Sequence, residues 1–294
     1  MGLTSGVACV AAGEEHACAL TTAGAVKCWG NDSLNGTGWG PTPVDIPGLS
    51  SGVVQIASGE LDTCALLTDG SVKCWGTGGE LEGNSLADLL MGGGGLTNYG
   101  QTPQTISGVP VAIKGLQMAD GFGCFLTAGD AVQCWGGNTF GELGNGTNTQ
   151  SATPVPVTGL GSGVTWLSAN GSTGACAVVT GGRLKCWGQG SLASSVNTPT
   201  DVPGLTSGVV SVSVGGEAST CVIMTDGSVQ CWETGSPPTV VTGISSAVYV
   251  ATNEGCSCAL LSNRKIMCWR SCPGSDPSDD AGNADGGPVE VQGL

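Results

Sequence analysis

The chain has 294 residues, a formal charge of −15 and only eight Lys and Arg. A duplex-binding surface needs clustered cations to replace counterions, so nucleic acid is excluded as a partner, and no apolar run reaches the ~18 residues of a membrane span. Glycine stands at 53 residues without a three-residue period, which excludes collagen, and 40% apolar residues exclude global disorder.

Along the chain one motif recurs. Its first copy runs from Cys18 to Cys28 and ends on Trp29. The second, from Cys64 to Gly76, has apolar runs on both sides of Thr68-Asp69-Gly70. That is a hairpin signal, because Gly70 supplies the φ > 0 of a tight turn. Cys64 and Cys74 sit symmetrically about Asp69, so they face each other across the hairpin and form a cross-strand disulfide. Four more copies follow: Cys124/Cys134, Cys176/Cys186, Cys221/Cys231 and Cys258/Cys268. Each has nine residues between its cysteines and Trp after the second.

Each copy lies in a longer unit. A short β-rich run such as Val53-Val54-Gln55-Ile56 comes first, then the hairpin, a variable Gly-rich loop, a Pro-led strand and Gly-Leu. The units are approximately 1–49, 50–108, 109–160, 161–205, 206–243 and 244–294. Spacing between first cysteines varies from 37 to 60 residues, and the excess lies in the loop after Trp-Gly. The longest insertion, 77–100, carries Leu86 to Met91, enough for one or two helical turns. Gly2 to Val7 repeats as Gly204 to Val209, and the closing strand Pro288 to Leu294 is the one that elsewhere precedes that junction. The two ends therefore continue one another. Four-stranded units in such a phase give an all-β fold in one domain: a six-bladed β-propeller of four-stranded blades, a closed ring with a cross-strand disulfide in each blade.

The pattern G-x-x-x-x-C-A-L-x-x-x-G-x-V-x-C-W-G, with Gly141-Glu142-Leu143-Gly144 after the third hairpin, resembles the regulator-of-chromosome-condensation repeat over essentially the whole chain. The resemblance implies a propeller. It also shows departures: six units against the seven blades of well-known members, and the repeat's histidine kept only as His16. Asp62, Phe122, Gly174, Ser219 and Cys256 take its place in the other units. The cysteine pairs point to a disulfide-rich extracellular, bacterial-type branch.

Of the remaining cysteines, Cys256 alternates with Cys258 as Cys272 follows Cys268, which allows a seventh disulfide, Cys256–Cys272. Cys9, at the place of Gln55, reads as an inert buried thiol. Four residues before each hairpin's first cysteine stand Glu14, Glu60, Asp120, Ser172, Glu217 and Glu254. Equivalent positions of a ring form a circle, so five carboxylates there are candidates to bind a cation or a basic side chain. The alternative is that each caps backbone N–H groups of its own turn. His16 and Trp39, an off-repeat tryptophan in a loop, complete the ligand-binding candidates. The six repeat tryptophans are expected between blades, and Trp166 in the core. Asp276, Asp279, Asp280 and Asp285 have the oxygen density of a Ca²⁺ loop without EF-hand spacing; no other cofactor is expected.

With one histidine and no phosphate loop, nucleophile elbow or zincin helix, catalysis has little support. The expected function is a secreted monomeric module that binds an extracellular protein or surface glycan through variable loops. A polysaccharide or ester hydrolase using the carboxylates, or an inhibitor of a secreted enzyme, is the alternative. The fifteen cysteines place the chain outside the cell or in the periplasm, with its export signal absent from this sequence.

Overall fold

The structure is a computed structural model that describes residues 3, 5–13, 16–30, 40–59, 62–76, 102–169, 174–190, 192, 194–215, 219–253, 255–270 and 287–291. The insertion at 77–100, with its expected helical turns, falls outside them. The fold is a six-bladed β-propeller of four-stranded antiparallel sheets, without helices among the described residues. No helix there is long and apolar enough to cross a membrane.

The chain divides into two compact units of three blades each, 1–162 and 163–294. In the first, blade 1 is β1 (Val7–Ala12), β2 (His16–Thr21), β3 (Val26–Gly30) and β4 (Gly40–Asp45). Blade 2 is β5 (Val53–Ser58), β6 (Asp62–Leu67), β7 (Val72–Gly76) and β8 (Gln104–Thr105); blade 3 is β9 (Ile113–Met118), β10 (Phe122–Thr127), β11 (Val132–Gly136) and β12 (Ser151–Pro156). In the second unit, blade 4 is β13 (Val164–Ala169), β14 (Gly174–Val179), β15 (Arg183–Gly188) and β16 (Val196–Asp201). Blade 5 is β17 (Val209–Val214), β18 (Thr220–Met224), β19 (Val229–Trp232) and β20 (Thr239–Val240). Blade 6 is β21 (Ala247–Thr252), β22 (Cys256–Leu261), β23 (Ile266–Arg270) and β24 (Val289–Glu290).

The hairpins of blades 2 and 5 close as their sequences require. Asp69 Oδ1 accepts from Ser71 N at 2.9 Å and Ser71 Oγ at 2.6 Å, while Gly70 takes φ 83°. Asp226, Gly227 and Ser228 repeat the arrangement. The symmetric turn puts each cysteine directly opposite its partner in the strand register. All six expected hairpin disulfides therefore form. They are Cys18–Cys28, Cys64–Cys74 and Cys124–Cys134 in the first unit, each with Cα atoms 4.1 Å apart. In the second they are Cys176–Cys186, Cys221–Cys231 and Cys258–Cys268, at the same 4.1 Å. That separation belongs to the closer of the two antiparallel pair types. Cys256 is also disulfide-bonded; Cys272, its expected partner, is outside the described residues.

Four of the repeat tryptophans sit between blades of the same unit, as their fixed place implies. Trp75 packs on Leu20, Val26 and Cys28 of blade 1; Trp135 packs on Leu66, Val72 and Cys74 of blade 2. Trp232 and Trp269 repeat this against blades 4 and 5, where Cys186 and Cys231 lie in the same clusters. Within each unit, a blade's tryptophan thus completes its predecessor's core, as expected of repeats that cannot bury an apolar face alone.

The structure corrects two sequence expectations. Cys9 is an exposed thiol, and Trp166 is 39% exposed. Both lie on the first strand of a blade, just after a β-bulge in which Ala8 or Thr165 is the extra residue. The bulge breaks the simple inward–outward alternation on which the core assignment rested. Trp166 Nε1 donates to Val212 O of the neighbouring blade at 3.0 Å.

Candidate functional site

In each unit the first strands of successive blades are neighbours, β1 with β5 with β9 and β13 with β17 with β21. Every such strand has one edge without a ladder partner in its own blade, and an unpaired edge needs its backbone groups satisfied. Side chains of the preceding blade do this. Gln55 donates to Leu116 O at 2.9 Å and accepts from Leu116 N at 3.1 Å. Ser168 Oγ accepts from Val214 N, and Ser213 Oγ from Thr252 N, each at 3.1 Å.

At one end of these strands the turns into the hairpins are pressed together. Gly59 N donates to Asp62 O at 2.8 Å, and Ala119 N to Phe122 O at 3.0 Å, so the two turns have the same form. A Cβ on Gly59 would overlap Ala119 O, and one on Gly13 would stand 2.5 Å from Gly59 O. Only glycine permits that approach. Gly215 meets Thr252 and Asn253 in the same way in the second unit.

The position directly after Gly13, Gly59, Ala119 and Asn253 carries a candidate carboxylate, and Glu217 follows Gly215 by two residues. Asp120, after Ala119, is exposed. Glu14, Glu60, Ser172, Glu217 and Glu254 lie outside the described residues, as do Trp39 and the acidic set Asp276, Asp279, Asp280 and Asp285. Among the described residues no three His, Cys, Asp or Glu side chains gather as a metal would need.

His16 is buried at the boundary of blades 1 and 2. Its Nε2 is hydrogen-bonded to Thr63 Oγ1 at 2.8 Å, and Thr63 also meets Ser58 Oγ at 3.0 Å. Burial lowers its pKa to about 4, so the imidazole is neutral at physiological pH. Asp62 holds the equivalent place in blade 2 and is only 5% exposed. Burial first, and the charge of Asp120 second, push its carboxyl up to about 7. The residue that replaces the repeat's histidine thus comes together with the one described member of the carboxylate set. Composition offered no sign of this; the departure of Asp62 from the histidine position was the available signal.

A second feature at this end was missed. The loop after β11 is joined to the Asp120 turn, with Gly137 N donating to Gly121 O at 2.8 Å. It is held from within by buried Asn138, whose Nδ2 donates to Thr147 O at 3.0 Å and Thr149 O at 2.9 Å, and whose Oδ1 accepts from Leu143 N. Buried Glu142 accepts from Phe140 N at 2.8 Å. Leu143 anchors the loop with no exposure, and Phe140 remains 41% exposed on it. An aromatic in an Asn/Gly-rich segment was the sequence signal for this presentation.

Residues 7–36 and 53–80 match the profile of the family described as Regulator of chromosome condensation (RCC1) repeat. Kap60 bound to yeast RCC1 (Prp20) is a similar structure, with TM-score 0.76 and 21% identity over 98% of this chain and 75% of that one. Prp20p from Saccharomyces cerevisiae, described with its binding properties to Gsp1p and histones, gives 0.76 and 19% over 97% and 76%. The CRINKLY WD40 ectodomain from the Arabidopsis thaliana receptor kinase ACR4 gives 0.53 and 19% over 90% and 79%. No curated protein matches the chain. The chain is a propeller with an RCC1-like fold, two segments of which match the RCC1 repeat profile, and at these identities the likeness speaks for the fold.

Proposed function

We propose that this chain is a protein-binding module of an oxidising, extracellular compartment, and that it engages its partner through the turn-and-loop end of its blades. The observation that carries the reading is the 137–150 loop. Asn138 and Glu142 tie it down internally, and it holds out one aromatic side chain, Phe140. A loop ordered before binding loses little entropy on contact, and an exposed aromatic is the residue type most often found at the centre of an interface. The binding of Gsp1p and histones reported for Prp20p, a propeller of the same form, supports a protein partner. The six hairpin disulfides support the compartment.

The test uses wild type and Phe140→Ala as baits against a displayed library of extracellular proteins. Thermal melts first confirm that both are folded. Capture by wild type that weakens at least about tenfold in the variant supports the reading, since truncating an aromatic anchor costs about 2 kcal/mol or more. Equal capture by both removes Phe140 from the interface. Binding on a glycan array with no protein captured would replace the protein partner with a glycan.

A further inference from the structure

Asp62 is a buried carboxyl that makes no hydrogen bond to any described residue, although it is only 5% exposed. Buried polar groups are normally paired, and one left unpaired costs free energy. Asp120, the group whose charge reaches it, is another carboxylate. The packing forces this pairing. Gly59, bonded to the carbonyl of Asp62, lies against Ala119, and Asp120 follows directly. Two acids are thus held at the boundary of blades 2 and 3, one inside and one at the surface.

We propose that Asp62 and Asp120 form a receptor for one arginine side chain of the bound protein. The inference rests on the reading of the chain as a protein-binding module. A guanidinium presents a planar fork of donors, is weakly hydrated, and so enters a nearly buried acid more readily than an ammonium does. It reaches Asp62 past Asp120, whose carboxylate has several acceptor sites. A divalent metal fits less well: Ca²⁺ takes about six to eight oxygens, and no third ligating side chain joins the pair among the described residues. The other described titratable group nearby, His16, is neutral and already bonded to Thr63. With the chain at −15, a basic partner surface also meets complementary charge.

The experiment titrates acetyl-arginine amide into the disulfide-intact chain and follows backbone amide shifts by NMR, with acetyl-citrulline amide as the neutral isostere. The expected result is saturable shifts confined to residues 62–63 and 120–122 for arginine, with none for citrulline. Affinity should rise severalfold between pH 6 and pH 8, as Asp62 gives up the proton it holds to about 7. Asp120→Asn should weaken binding about tenfold, and Asp62→Asn should abolish the pH dependence while leaving the fold intact. Equal shifts with citrulline, shifts elsewhere, or calcium chloride displacing the arginine probe at these amides would overturn the receptor. If the arginine probe fails while Phe140-dependent capture persists, the receptor falls and the binding module stands.

Discussion

Among the described residues three other than glycine carry positive φ, and Arg264 exposes a local conflict. Arg264 has φ 69° at the hairpin position where blades 1, 2 and 5 place Gly24, Gly70 and Gly227. A side chain in the left-handed region costs roughly 1–2 kcal/mol, partly offset because glycine is freer in the unfolded chain. Arg264→Gly should therefore raise stability by up to about 1 kcal/mol in urea unfolding. A lower midpoint would show that the Arg264 side chain contributes more than its backbone costs. The buried acid and base permit a sharper test. Asp62 keeps its proton to about 7 when folded but loses it near 3.8 when unfolded, so its contribution is complete below 3.8 and lost as pH rises through 7. His16 runs the other way: its contribution is complete above 6.5 and lost as pH falls through about 4. Between these limits the two slopes oppose each other. Relative to wild type, His16→Gln should gain melting temperature as pH falls from 6.5 to 4, whereas Asp62→Asn should lose it. Parallel profiles for wild type and both variants would mean that neither group titrates as its burial requires. The sequence marked His16 as singular, but the raised pKa of Asp62 comes from its burial and from the charge of Asp120 that blade 3 places near it, which no local pattern carries.

At the scale of elements, the strands and hairpins were legible because turn chemistry and cysteine register are local. The same locality explains what was misread. All six first strands carry a bulge after their first residue, which alternation alone does not report, and it turned Cys9 and Trp166 from expected core into exposed positions. The candidate site was half legible. The carboxylate positions followed from the repeat, but the pairing of Asp62 with Asp120 depends on how closely blade 2 approaches blade 3. Gly59 sets that approach. Gly59→Ala brings a methyl against the Ala119 carbonyl and should cost about 1–3 kcal/mol, the range of overpacking in a tight interior. Gly115→Ala, with open space around it, is the control and should fold like wild type. A shift of the Asp120 and Gly121 amides in Gly59→Ala would show that the turn contact also sets the site. No change in either stability or these amides would place the blade contact elsewhere.

For the whole molecule the question is what the disulfides hold. Each of the six hairpin disulfides joins the middle strands of one blade and spans a sequence separation of 10, so these covalent loops are short and none of the six links two blades. Blades are held to one another by apolar packing such as Trp75 on blade 1 and Trp135 on blade 2. A loop of that length removes about 2–3 kcal/mol of unfolded-state entropy. Six of them rival the entire net stability of an ordinary domain, about 5–15 kcal/mol. Several blades also have little outer-strand pairing, since β8, β20 and β24 are two residues each. The reduced chain should therefore not reach the native fold. Refolding from denaturant with excess dithiothreitol is expected to leave near-UV tryptophan signals flat, and refolding in a glutathione redox pair is expected to restore them with Cys9 as the free thiol. Failure under reduction ties the fold to an oxidising compartment and supports the extracellular reading. A native spectrum under full reduction would mean that blade packing alone stabilises the fold, and the argument from cysteines to compartment would fail with it.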